Sequence, residues 1–122
     1  MIYDVTHALF KLAPGAKWVH RGEGMDFNGI EWSDEEVVRP TNEELQAVID
    51  ELNAAEPMRL LRLERNKRIA VTDWWAMPDR TMTSDQIAYR NALRDLPVTS
   101  NPTLLANGNL DLESVTWPVY NP

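Results

Sequence analysis

The stretch from residue 59 to residue 97 reads RLLRLERNKRIAVTDWWAMPDRTMTSDQIAYRNALRDLP. It contains eight of the chain's twelve Lys and Arg residues and two of its five Trp residues. The pattern predicts a helix over about residues 58–72, a short corner around Pro78, and a second helix that Thr83 and Gln86 cap and Pro97 ends. Residues 59–97 therefore predict a basic helical hairpin with indoles at its corner.

The residues before this hairpin predict a small α+β unit over residues 1–57. A helix capped by Asp4 is expected over residues 4–12, followed by a β-hairpin of two extended segments, 16–21 and 28–33. A second helix begins with a capping box formed by Thr41 and Glu44. Pro57 is expected to end that helix or to break it before the next one.

The residues after the hairpin are apolar and irregular, with a glycine and several prolines. Leu110 alternates with Leu112, and Val115 alternates with Trp117, which predicts an extended strand that Pro118 confines to a sheet edge. We expect this segment to lie against the body of the protein or in a partner's groove, where it could add a strand to the partner. The expected fold class is α+β, with residues 1–57 as one unit and residues 58–122, the helical hairpin and extended tail, as the other.

The net charge of −7 is unevenly distributed along the chain. Residues 1–58 carry a net charge of −8, residues 59–97 carry +3, and residues 98–122 carry −2. Nucleic-acid binding needs an excess of Lys and Arg on the contacting domain, so the acidic flank argues against it. The longest apolar runs are only a few residues, and the first residues show no signal-peptide pattern, so no membrane partner is expected.

The sequence contains few groups for catalysis or metal binding. It has no Cys, and its two histidines, His7 and His20, are not spaced as metal ligands. Asp73 and Asp79 could be catalytic carboxylates, but capping of turns and helix ends is the favoured interpretation. We expect no cofactor, no metal and no enzymatic activity.

A set of ordered motifs in residues 65–118 resembles the phage tail assembly chaperone family. The shared pattern is R-N-x-x-(L/I)-x-x-T-D-W, then P-D, then Y-R-x-x-L-R-D-L-P, then a late W-P. The matching positions here are Arg65-Asn66, Ile69, Thr72-Asp73-Trp74, Pro78-Asp79, Tyr89-Arg90, Leu93-Arg94-Asp95-Leu96-Pro97 and Trp117-Pro118. The first half resembles, more weakly, the small units of tail-fibre assembly proteins and XkdW-like prophage proteins.

This resemblance implies a protein without chemistry of its own that accompanies a tail or tail-fibre protein and helps it fold or trimerise. It would act in the host cytoplasm during assembly, and its oligomeric state would be set by the fibre. The alternative is a structural accessory subunit that is retained in the virion tail.

The predicted partner-binding residues are bases and aromatics of the hairpin and the tail. They are Arg62, Arg65, Arg68, Trp75, Arg90, Arg94, Trp117 and Tyr120. Trp74 is expected in the core and Trp75 at the surface. The arginines could contact an acidic partner or pair within the chain with its acidic first half, and both interpretations stay open here.

Overall fold

The computed structural model describes residues 3–121. This range contains three α-helices and one antiparallel pair of strands: α1 (Val5–Leu12), β1 (Trp18–His20), β2 (Ile30–Trp32), α2 (Asn42–Val71) and α3 (Ser84–Thr99). The predicted α+β class is confirmed. The chain divides into two compact units, residues 1–55 and residues 56–122.

The N-terminal unit is built as its sequence pattern predicts. Asp4 caps α1 by accepting hydrogen bonds from the backbone N–H and the hydroxyl of Thr6, at 3.1 and 2.7 Å. In the β-hairpin formed by β1 and β2, Trp18 lies opposite Trp32. Helices α1 and α2 fill the core with fully buried aliphatic side chains, against which both indoles pack.

Asp34 has a structural role that its place in an acidic run does not suggest. The sequence Asp34-Glu35-Glu36 is that of a solvated turn, yet the Asp34 carboxylate accepts hydrogen bonds from three backbone N–H groups, those of Lys17, Glu36 and Val37, at 3.0, 2.9 and 2.8 Å. These bonds favour the charged form and lower the pKa of Asp34 below its ordinary value. The carboxylate therefore connects the open end of the β-hairpin, at Lys17, to the loop that leads to α2.

The predicted break at Pro57 is wrong, because α2 runs without interruption from Asn42 to Val71. A proline inside a helix removes one backbone hydrogen bond and costs roughly 3 kcal/mol. Leu45 and Ile49 before it and Leu61 after it are all fully buried. Burying each such side chain contributes about 1.5–3 kcal/mol, so packing on both sides of Pro57 outweighs its cost.

The C-terminal unit is the predicted helical hairpin. The second half of α2 packs on α3 through Leu61, Leu93 and Leu96, which are almost completely buried. Thr83 and Gln86 form the predicted capping box at the start of α3. The predicted end at Pro97 is wrong by two residues: a proline in the last turn removes a single backbone hydrogen bond, and the helix ends at Thr99.

The tail does not form the predicted strand. Residues 100–121 contain one isolated bridge, Leu104 with Leu110, and a 3-10 turn at Leu112–Ser114 that Asp111 caps. The prediction that the tail lies against the body is confirmed, because Val115 is buried in the core of the hairpin and Trp117 packs against it. Within residues 3–121, no helix is both long enough and apolar enough to cross a membrane.

Candidate partner-binding surface

Arg90, one of the predicted partner-binding residues, is buried and bonds within the C-terminal unit. Its exposed fraction is 7%. One guanidinium nitrogen, Nη1, donates to the Thr72 hydroxyl at 2.7 Å, to the Asp73 carboxylate at 3.2 Å and to the Ile69 carbonyl at 3.5 Å. The last turn of a helix has unpaired carbonyls and a partial negative charge, so a cation from α3 is favourable at the end of α2.

The burial of the two tryptophans at the corner is the reverse of the prediction: Trp75 is buried and Trp74 is exposed. Trp75 is 8% exposed and Trp74 is 51% exposed. Trp75 contacts the rings of Tyr89 and Tyr120, with centroids 6.0 and 4.8 Å away. A 3-10 turn, Asp73–Ala76, follows α2, and in it Trp75 faces α3. The sequence pattern does not show this change from α-helical to 3-10 spacing.

Arg68 and Trp117 are also engaged within the C-terminal unit. Arg68 pairs with Glu64 one turn earlier, at 3.1 Å, and its guanidinium lies 4.1 Å from the centroid of the Trp117 ring. The indole N–H of Trp117 donates to the carbonyl of Leu112 at 3.0 Å. Arg68, Trp117 and Tyr120 therefore hold the tail on the hairpin.

Three of the predicted arginines remain without an acidic partner in residues 56–121, and we call them the basic cluster: Arg62, Arg65 and Arg94. Arg65 donates to the side-chain oxygen of Asn66 and, at 3.4 Å, to the backbone carbonyl of Arg94. Arg94 donates to Asn91. Arg62 lies one turn before Arg65 on the same helix face and is exposed. Arg65 therefore reaches from α2 to the backbone of Arg94 on α3, and Arg62 lies one turn from Arg65.

An exposed apolar patch at the corner was missed by the sequence analysis. This corner patch consists of Val71, Trp74 and Met77, which are 70%, 51% and 53% exposed. The guanidinium of Arg80 lies over the Trp74 ring, 4.4 Å from its centroid. The signal that could have found it is the spacing of three residues from the end of α2, through the 3-10 turn, to the residue after that turn.

Residues 58–120 match the sequence profile of the family described as phage tail assembly chaperone protein. The match covers just over half of the chain. The chain belongs to the phage tail assembly chaperone family. Comparison with curated proteins and with solved structures found no match for the chain.

The motifs that resemble the chaperone family have clear structural roles in this chain. Thr72 and Asp73 of the T-D-W motif hold Arg90 of the Y-R motif, so these two motifs are in contact at the end of α2. Leu93 and Leu96 of the third motif form the hairpin core. The chaperone match begins at residue 58, so the likeness of the first half to XkdW-like proteins stays a prediction.

The two carboxylates considered as catalytic have different surroundings. Asp73 is engaged with Arg90, while Asp79 is exposed in the turn after the corner. Among residues 3–121, no group of three or more His, Asp or Glu side chains could hold a metal ion.

Proposed function

We propose that this chaperone acts by binding a tail or tail-fibre protein and assisting its folding or trimerisation, without catalysis, in the host cytoplasm. The observation that carries the proposal is the basic cluster: Arg62 and Arg65 lie one turn apart, Arg65 reaches the backbone of Arg94, and no carboxylate in residues 56–121 pairs with any of the three. Gathering like charges is unfavourable in the isolated molecule, and an acidic partner surface removes that repulsion.

The corner patch supplies the apolar part of the proposed interface. Trp74 takes the role first assigned to Trp75, because an exposed indole beside Met77 and Val71 offers a large contact area to a partner. Arg90 and Trp75 stabilise the corner that presents this surface, because Arg90 bonds to Thr72 and Trp75 packs against Tyr89. Before assembly, a fibrous protein exposes unpaired strand edges and apolar trimer surfaces, which a small protein can cover until the correct contacts form.

The test is co-expression of the chain with the tail-fibre protein of the same phage. We expect the fibre protein to be soluble and trimeric when the chain is present, and to aggregate or stay monomeric when it is absent. The variant Arg62→Glu/Arg65→Glu/Arg94→Glu should lose this effect. Equal yields of trimeric fibre with and without the chain would refute the proposal.

The second hypothesis, a subunit retained in the tail, is separated from the first by one further assay. Finished particles are purified and probed for the chain. A chaperone that is released is absent from them, whereas a structural subunit is present in a fixed ratio to the fibre.

A further inference from the structure

A groove lined by leucines lies on the C-terminal unit, between α2 and the tail. Its volume is about 500 Å³. We call it the leucine groove, and its apolar lining consists of Leu60, Leu63, Leu105, Leu110 and Leu112. Leu63, Leu105 and Leu112 are each about half exposed, at 53%, 47% and 47%. Leaving so many leucines of one concave site in water is unfavourable, which marks the groove as a site for another molecule.

The geometry of the groove is fixed by contacts on both of its walls. On the tail side, the N–H of Leu105 donates to the carbonyl of Asn109 at 2.7 Å, and the N–H of Asp111 donates to that of Thr103 at 2.9 Å. On the helix side, Leu60 and Leu63 lie one turn apart on α2. The groove therefore exists before any partner binds, and binding does not require it to be ordered first.

The charges that line the groove favour an acidic partner. Among the described residues that line it, the one carboxylate, Glu64, is already paired with Arg68 at 3.1 Å. The one cation among them, Lys67, is exposed and has no carboxylate within ion-pair distance in residues 56–121. Glu113 follows Leu112 in the sequence but does not line the groove. The lining therefore presents leucines with one unpaired positive charge at the edge.

We infer that the leucine groove binds a short segment of the tail or tail-fibre protein that carries leucine-like side chains next to a carboxylate. The apolar side chains of this segment fill the groove, and its carboxylate pairs with Lys67. The inference rests on the proposed function for the source of the segment, while the chemistry of the segment follows from the groove itself. The leucine groove is a second contact site, built from residues other than the basic cluster and the corner patch.

The probes are two capped peptides in which leucine pairs alternate with glutamate or with lysine. Methyl NMR spectra of the full chain should show shifts at Leu63, Leu105 and Leu112 on adding the glutamate peptide, which should bind about threefold or more tightly than the lysine peptide. In Lys67→Glu the preference should reverse. Shifts that are absent from the groove, or equal affinity for both peptides, would overturn the inference.

The same site is then tested with the tail-fibre protein. Leu63→Asn/Leu112→Asn should weaken its binding about tenfold or more. Val98→Asn/Val119→Asn is the control, because these valines are 87% and 77% exposed and lie outside the groove, and it should bind as the wild type does. Amide exchange in α3 verifies that both variants are folded.

The outcomes separate the two claims. If the fibre protein binds the wild type and the groove variant equally, the inference fails while the proposed function stands. If no fibre protein binds but the glutamate peptide shifts the groove methyls, the groove has the stated chemistry and the proposed function fails. Concentration-dependent dimerisation that Leu63→Asn/Leu112→Asn abolishes would show that a second copy fills the groove, and would overturn the inference.

Discussion

Arg90 shows how one side chain can determine the geometry of the corner. Its Nη1 atom lies within hydrogen-bond distance of three oxygens at the end of α2, those of Ile69, Thr72 and Asp73. Hydrogen bonds from a charged donor are about twice as strong as those between neutral groups, and the low exposure of Arg90 limits competition from water. The direction in which the chain leaves α2 depends on this contact.

Arg90→Met should therefore lower the free energy of unfolding of the C-terminal unit by about 1–3 kcal/mol, because it removes a charged donor from the buried hydroxyl of Thr72 and from the end of α2. Arg94→Met is the matched control, since the Arg94 side chain is exposed and, among the described residues, donates only to Asn91, and it should change stability by no more than about 0.5 kcal/mol. Amide exchange of α3, measured at increasing urea concentrations, gives the free energy of unfolding of both variants. Equal losses of stability in the two variants would contradict the stabilising role of Arg90.

The adjacent indoles give a second prediction at this scale. Trp75→Ala should cost about 3–5 kcal/mol, because it empties a buried site between Tyr89 and Tyr120. Trp74→Ala should cost no more than about 1 kcal/mol, since it removes a half-exposed ring that contacts Arg80 and Trp75. The stabilities of the two variants are compared by far-UV circular dichroism during urea unfolding, because removing a tryptophan changes the fluorescence signal. A larger loss for Trp74→Ala would contradict their assignment.

Individual side chains were the hardest features to predict from the sequence. The eight predicted partner-binding residues include both buried side chains, such as Arg90 and Trp75, and exposed ones, such as Arg62 and Arg94. Residue type alone does not separate them, because an arginine can pair with a carbonyl at a helix end as well as with a partner. Burial depends on where α3 crosses α2, which local sequence does not specify.

At the scale of elements, local signals were mostly sufficient. Asp4, Thr41 and Thr83 begin their helices as predicted, because capping depends on groups three residues apart. The errors occurred at prolines and in the tail, where packing overrides local preference. Pro57 stays inside α2 because buried leucines lie on both sides of it, and the tail follows the hairpin core instead of forming a regular strand.

Pro57→Ala should stabilise α2 by about 1–3 kcal/mol, since it restores a backbone donor inside a helix that already forms. The gain is reduced because alanine also gives the unfolded chain more freedom. Hydrogen exchange should show a protected amide at position 57 and slower exchange nearby. A helix that ends near residue 57 in the wild type, seen as fast exchange just beyond it, would contradict the continuous helix.

Asp34 predicts an acid-sensitive contact in the N-terminal unit. Its pKa is lower in the folded state than in the unfolded state, because three backbone N–H groups bond to the carboxylate. The stabilisation is therefore complete above the unfolded pKa of 3.8 and is lost as the pH falls through the lowered value. Asp34→Asn should have a lower urea midpoint than the wild type at about pH 6, and the difference should shrink near about pH 2.

The control for this experiment is Glu35→Gln, because Glu35 is exposed and forms no hydrogen bond in the described chain. It should match the wild type at both pH values. A difference between Asp34→Asn and the wild type that is the same at both pH values would contradict the role of the charged carboxylate.

At the scale of the whole molecule, charge is unevenly divided along the sequence. The first 58 residues are acidic, and the chaperone module carries the basic cluster, the corner patch and the leucine groove. The sequence alone predicted the family and a basic hairpin. It could not predict the groove, because the groove joins leucines about 45 residues apart that meet only when the tail folds back on α2.

The most direct test of the central claim is the dissociation constant of the full chain for the tail-fibre protein, measured by isothermal titration. Arg62→Glu/Arg65→Glu/Arg94→Glu is compared with Lys11→Glu/Lys17→Glu/Arg21→Glu, which makes the same change in net charge on exposed residues of the N-terminal unit. The account predicts about 100-fold weaker binding, or about 2.8 kcal/mol, for the first variant and little change for the second. Equal affinities for the two variants would contradict it.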